Sequence, residues 1–193
     1  MESFLNTEYI DLLTGRQLLV IIHLFGLALG AGAAFVSDFT FVQALKDRTF
    51  TRHELNMLEL LSKIVWLGLG VLVLSGGLIF LGYSELLFNS SKFLAKITVV
   101  GVIIINGLLF KFVHMPKLNQ LVDKDISKLK NPRLRGMFIS GGLSGVSWAT
   151  ALTLGVLREV EYSYWQIIGV YGLVAVGAMC GGLGLNWYFT KNQ

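Results

Sequence analysis

Long apolar runs alternate along this chain with short charged connectors. Ile64–Phe80 contains no charged residue, whereas Lys117–Arg135 is crowded with them. About 20 predominantly apolar residues suffice for a helix to cross a bilayer. Five runs approach or exceed that length: about Gln17 to Val42, Ser62 to Tyr83, Phe93 to Val113, Met137 to Leu157 and Trp165 to Phe189. The pattern predicts an all-α polytopic bundle of five transmembrane helices. No internal repeat, low-complexity tract or linker divides it, so residues 1–193 read as a single domain. Met115-Pro116 is expected to close the third span, because proline disfavours helix at the residue before it. Glu54–Ser62 reads as a water-facing extension of the second helix, with Glu59 and Lys63 spaced for a helical ion pair. Met1–Asp11 carries three acids and no base, and the first apolar run is too long for a signal-peptide core, so no removable signal is expected.

Composition places the chain firmly in the membrane. Hydrophobic residues make up 54% and charged residues only 15%, with a mean hydropathy of +0.66, where soluble domains carry roughly a quarter charged. Nucleic-acid binding, a secreted disulfide scaffold, disorder and an ordinary soluble enzyme are excluded, and the net charge of +4 reflects topology. With five spans, Lys46, Arg48, Arg52, Lys111, Lys117, Lys124, Lys128, Lys130, Arg133, Arg135 and Lys191 share one side. Arg16, Lys92 and Arg158 lie on the other. The positive-inside rule then predicts an N-out, C-in, multi-pass protein of the cell (inner) membrane. Tyr162, Tyr164 and Trp165 would sit at the outer interface, and Trp187, Tyr188 and Phe189 at the inner one. The inner connector also holds Leu118, Leu121, Ile126 and Leu129, which suit either a segment drawn onto anionic lipid or a solvated loop. The partners implied are the lipid bilayer and either a redox partner or a second copy of the chain, with no nucleic acid.

Other residue types refine this picture. Cys180, the single cysteine, lies in an apolar run and is expected to be a small buried hydrophobe. Both prolines fall in one connector, so the spans lack the proline breaks common in transporter helices. Small residues recur four apart at Gly26/Gly30, Gly141/Gly145 and Gly177/Gly181, with Ser140, Ser144 and Ser147 nearby. That spacing lets helix backbones approach closely within the bundle, or between two copies.

Ionisable groups within a span are costly and mark candidate sites. His23 lies about 9 Å below Gln17 at 1.5 Å per residue. Gly26 and Gly30 follow on the same face, with Arg16 one heptad outward. An imidazole for iron, bare backbone for a flat macrocycle and a surface base for propionates suit a haem. The same residues equally suit a histidine hydrogen-bonded to a neighbouring helix beside packing glycines. Lys96, with Lys92, could hold an anionic group or snorkel to the interface. Asn106, deeper in that helix, suits a bridge between helices. His114 and His23 are separated by roughly 20 Å in depth and cannot share one haem, and His53 falls in the solvated inner connector. Asp38 and Lys63 are expected to form an ion pair that fixes the first two helices. No further chain of ionisable groups crosses the middle of the bundle.

Three segments resemble a known family. IIHLFGLALGAGAAF is similar to the first helix of the CopD-like and DUF2269-like membrane proteins, a group related to the HemJ-type protoporphyrinogen oxidases. SKIVWLGLGVLVLSGGLIF looks like their second helix, with Ser75-Gly76 at its end, and SSKFLAKITVVGVIIINGLLF like their third, with Lys96 and Asn106. The resemblance covers roughly Gln17–Phe110. It implies b-type haem with His23 as the axial metal ligand and Lys96 at the haem site. Gly26–Gly32 stands where the HemJ-type helix is rich in aromatics, and the fifth span exceeds their four-helix core, which argues against porphyrinogen oxidation. The five methionines form no Met-x-Met cluster, so copper handling is not supported either. The leading expectation is therefore haem b bound near the outer face for electron transfer or haem-linked redox chemistry. His23 would be the ligand, Gly26 and Gly30 the ring-facing surface, and Arg16, Lys92 and Lys96 the propionate partners. A cofactor-free scaffold or subunit is the alternative, followed by a metal-ion or small-solute transporter.

Overall fold

The computed structural model describes residues 2–46, 50–82, 89–122, 132–157 and 161–191, which are almost entirely helical. Five long helices are present: α1 (Glu2–Lys46), α2 (Arg52–Gly82), α3 (Ser91–Leu109), α4 (Pro132–Val156) and α5 (Tyr164–Lys191). Each includes or opens a stretch long and apolar enough to cross a membrane: Gly15–Leu45, Arg52–Gly82, Ser91–Asn119, Leu134–Val156 and Tyr164–Phe189. The end carrying the basic connectors is called the inner end below.

Local chemistry fixes several boundaries. At α2 the Thr51 N–H donates to Glu54 Oε2 at 2.7 Å while the Glu54 N–H reaches back to Thr51 Oγ1 at 3.3 Å. Ser163 and Gln166 make the same reciprocal pair at α5. Each pair satisfies amides that the first helical turn leaves without partners. Ser90 caps α3 by accepting the Phe93 N–H.

The third span does not stop at Met115-Pro116. Its axis continues through a π-helical turn, Phe110–His114, into a short helix, Met115–Asn119. The Met115 N–H bonds the Phe110 carbonyl, five residues back. The expectation failed because a π turn shifts the hydrogen-bond register just where Pro116 offers no N–H, so the helix absorbs the proline.

α1 packs chiefly against α2 and α4 against α5, with α3 against both α4 and α5 and α1 also meeting α4. Glycines set the closest approaches. A Cβ at Gly68 would lie 2.4 Å from the Gly30 nitrogen and 2.8 Å from the Gly26 oxygen, so the α1 and α2 backbones touch there. Gly142 and Gly182 play this part for α4 and α5, where a Cβ would meet Ala178 O at 2.6 Å and Phe138 O at 2.5 Å. The Gly177/Gly181 face meets nothing within 4 Å, so this spacing is not a packing seam within the chain.

Two apolar clusters result. The inner one contains Phe41, Ala44, Leu45, Phe50, Leu55, Leu58, Leu118, Leu121 and Met137. It therefore takes Leu118 and Leu121 of the basic connector into the core; Ile126 and Leu129 lie outside the described residues. The outer one is built on Leu27, Ala31, Leu69, Leu72, Val99, Ile103 and Trp148. Only 22% to 33% of each span's most apolar window is buried inside the protein. The remaining faces, with Phe25, Phe39, Leu74 and Leu173 exposed, require a hydrocarbon solvent. Cys180 is exposed on α5 rather than buried, because that helix turns this side away from its neighbours. Trp165 and Trp187 are exposed near opposite ends of α5, as an aromatic belt requires.

Candidate functional site

Two polar groupings lie inside the bundle. The first centres on His23, whose Nδ1 is 3.0 Å from Ser75 Oγ on α2. The single Ser75 hydroxyl hydrogen goes to the Val71 carbonyl at 2.6 Å. With that hydrogen so placed, Nδ1–H is the donor to Ser75 and Nε2 is left with a lone pair. Gly76 leaves room for this ring, since a Cβ there would lie 3.2 Å from His23 Cε1. Lys96 stands within electrostatic range of His23. Lys92 donates from Nζ to the Leu157 carbonyl, just past the end of α4. Arg16 is exposed at the outer end of the α1 span.

The expected ring-facing surface is already filled. Gly26 faces Leu72 N, Gly68 O and Val71 of α2, with a would-be Cβ at 2.8–3.0 Å from them. Gly30 faces the Trp148 ring, where a Cβ would lie 2.5 Å from Cη2. These glycines bring α2 and Trp148 against α1, so a macrocycle cannot lie on their face. Of the six residues expected to bind haem, the structure brings together His23 and Lys96, with Lys92 in electrostatic range of Lys96. It gives Gly26 and Gly30 to packing, ties Lys92 to the end of α4 and leaves Arg16 exposed at the outer end of α1. Among the described residues no group of three or more His, Cys, Asp or Glu side chains is placed to hold a metal ion.

The second grouping is a cavity of about 70 Å³ toward the inner half. Its polar wall comprises Ser37 and Asp38 of α1, Ser62 and Trp66 of α2, Asn106 of α3, and Ser140 and Ser144 of α4. Asp38 lies about 10 Å from the inner end of its span at 1.5 Å per residue. Asp38 is partly buried and its carboxylate lies against Gly141, where a Cβ would sit 3.5 Å from Oδ1. The expected ion pair with Lys63 is absent: Lys63 is exposed on the outer surface of α2, and Asp38 has no hydrogen-bond or ion-pair partner among the described residues. Trp66 Nε1 is likewise buried without a partner. By contrast, Asn106 and Ser140 satisfy each other. Ser140 Oγ donates to Asn106 Oδ1 at 2.6 Å, and Asn106 Nδ2 donates to the Ser140 carbonyl at 3.1 Å. This is the interhelical bridge expected of Asn106.

Apolar side chains flank the cavity at both ends and make up most of its wall. Phe41, Leu118 and Met137 belong to the inner cluster and also line it. Ala34, Ile103 and Trp148 belong to the outer cluster and line it from above. Asp38 is the only acid in the five apolar runs. That solitude was the available signal for this site; spacing could not show that Lys63 points away.

The chain is thus an all-helical protein with five helices long and apolar enough to cross a membrane, and Asp38 lines a partly open, mostly apolar cavity toward its inner half. Comparisons with family models, with curated proteins and with solved structures give no match.

Proposed function

We propose that this multi-pass membrane protein is of the transport class and takes up a small cationic species inside the bilayer at Asp38. The observation that carries this reading is the unpartnered Asp38 carboxylate on the wall of a cavity flanked by an apolar cluster on each side. A charge without a partner in such a place is costly and persists where it serves an ion or proton path. Apolar packing to either side of one site is what alternating exposure to the two sides of a membrane needs. The cavity can be built without proline breaks because serines and glycines, rather than unwound backbone, supply its polar wall. The test is charge movement in vesicles reconstituted with the purified protein under an imposed membrane potential. Wild-type protein carries current and Asp38→Asn does not; equal currents from both would remove Asp38 from the function.

Haem-linked redox chemistry is the second reading. The Nδ1–Ser75 hydrogen bond favours it, because it fixes the His23 ring and leaves Nε2 as a ligating nitrogen. The ring would have to approach His23 from a side other than Gly26 and Gly30. A Soret band lost in His23→Ala and kept in His114→Ala supports this role, and a colourless, folded preparation from haem-replete cells ends it.

A further inference from the structure

We infer that the species taken up at Asp38 is a proton, and that His114 in the π turn carries it between the inner end and the cavity. The inference rests on the transport reading above and goes further, naming the cargo and its route.

The cavity, of about 70 Å³, has room for a small cluster of waters, at about 10–15 Å³ of such volume for each. The wall chemistry argues against a bare metal ion. Asn106 and Ser140 are held toward each other, Ser140 Oγ donating to Asn106 Oδ1 and Asn106 Nδ2 to the Ser140 carbonyl. Trp66 presents an indole N–H, which only donates and therefore turns its positive end toward an acceptor. Water or the Asp38 carboxylate suits that donor, and a metal cation is repelled by it. One carboxylate with the hydroxyls of Ser37, Ser62 and Ser144 is a wall for water and a titrating acid.

His114 supplies the connection inward. It is buried, with Nδ1 lacking any hydrogen-bond partner. It sits in the only π-helical turn among the described residues, a feature often found at functional positions. Phe110, which lines the cavity, meets the His114 ring edge-on with centroids 6.4 Å apart. Both titratable groups also face α4. A Cβ at Gly136 would lie 3.5 Å from His114 Cε1, and one at Gly141 would lie 3.5 Å from Asp38 Oδ1. Five residues of α4 separate these contacts, about 7.5 Å of rise, with His114 on the inner side. The relay requires water to enter between them past Phe110, since His114 itself does not line the cavity. Near His114 the charged groups are Lys117 and Lys111 on its own segment and Arg135 beside Gly136 on α4. On the cavity side the facing group is Asp38, on α1; the α2 side chains that line the cavity, Ser62, Val65 and Trp66, carry no charge.

The transfer balances without a co-reactant. Hydronium at the inner end gives its proton to one His114 nitrogen, leaving water and an imidazolium. The imidazolium releases a proton from its other nitrogen to cavity water, and that water passes it to the Asp38 carboxylate, leaving a neutral carboxylic acid. No bond other than O–H and N–H changes.

The experiment uses full-length protein in vesicles holding a pH-sensitive dye, driven by a potassium diffusion potential, with sodium-22 uptake measured in parallel. Wild-type protein should move protons and not sodium, and Asp38→Asn should abolish the flux. His114→Ala should slow it about 100-fold, the scale of a lost side-chain proton carrier, and added imidazole should restore much of it. A structural role for His114 would give a defect that imidazole does not rescue. Thermal unfolding of the same samples confirms that the variants are folded, and His114→Gln serves should His114→Ala fail that check. Sodium flux without proton flux overturns the proton assignment and leaves transport standing. Proton flux that ignores His114 overturns the relay. No flux of any ion with folded wild-type protein overturns the transport reading itself.

Discussion

Replacing Asp38 by asparagine should stabilise this protein. The substitution is nearly isosteric, so the cavity keeps its volume and no packing is lost. What changes is a partly buried carboxylate without a hydrogen-bond or ion-pair partner. A buried polar group left unsatisfied costs about 1–3 kcal/mol, more when charged. Asparagine is never charged, and its amide can both give and accept within a wall of hydroxyls. We expect a gain of about 1–3 kcal/mol on that basis, or roughly 2–4 °C in Tm per kcal/mol for a chain of this length. The assay is thermal unfolding in lipid nanodiscs of wild type, Asp38→Asn, Lys63→Met and the double variant. Lys63 is exposed, so Lys63→Met should be near neutral and additive with Asp38→Asn. The opposite pattern would refute the reasoning. If Asp38 were the buried half of an ion pair, breaking it would cost about 3–5 kcal/mol, and the double variant would show strong coupling. Higher stability together with lost ion movement is the signature of a residue kept for function.

Further outcomes follow from the packing. Gly68→Ala should destabilise by about 1–3 kcal/mol through overpacking, since its Cβ would meet α1 backbone at 2.4–2.8 Å. Gly70→Ala, in open space, should be neutral in the same unfolding assay. Gly142→Ala should likewise lower Tm and Gly177→Ala should not, separating true helix contacts from a sequence pattern that meets no neighbour. Asn106→Ala should cost about 1–2 kcal/mol by stranding the buried Ser140 hydroxyl, and Ser140→Ala in the Asn106→Ala background should cost much less, measured as a double-mutant cycle. Ser75→Ala should release the His23 ring, read by nitrogen NMR of the imidazole as loss of the fixed Nδ1–H tautomer.

The membrane architecture was legible because hydrocarbon solvent imposes a simple rule on sequence: long charge-free runs become helices and bases collect in connectors. The Asn106 bridge was legible for a related reason, since an amide deep in a span has few alternatives to a neighbouring helix. Failures came where the answer depended on which way a side chain turns. The spacing of Gly26 and Gly30 is the same for a haem surface as for a contact with Gly68 and Trp148, and only the partner helix distinguishes them. Gly142 and Gly182, the true α4–α5 contacts, belong to none of those four-apart pairs, whose members Gly141 and Gly145 meet the α1 side chains Asp38 and Phe35 and whose members Gly177 and Gly181 meet nothing within 4 Å. Met115-Pro116 misled because a π turn upstream is invisible to a rule about proline alone.

Asp38 shows how the same limit bears on function. Sequence distance offered Lys63 as a partner, and a paired carboxylate would have closed the question in favour of structure. The helix faces remove that pairing: Lys63 turns to the surface while Asp38 turns inward, beside serines and an indole N–H that also lacks a partner. Two unsatisfied groups of complementary kind, an acceptor and a donor, share one small cavity. A water between them, accepting from the indole and donating to the carboxylate, would satisfy both at once. The polar residues gathered at the outer end are largely occupied with packing and helix ends. The chemical capacity lies at the inner half, in the one acid that the apolar runs contain.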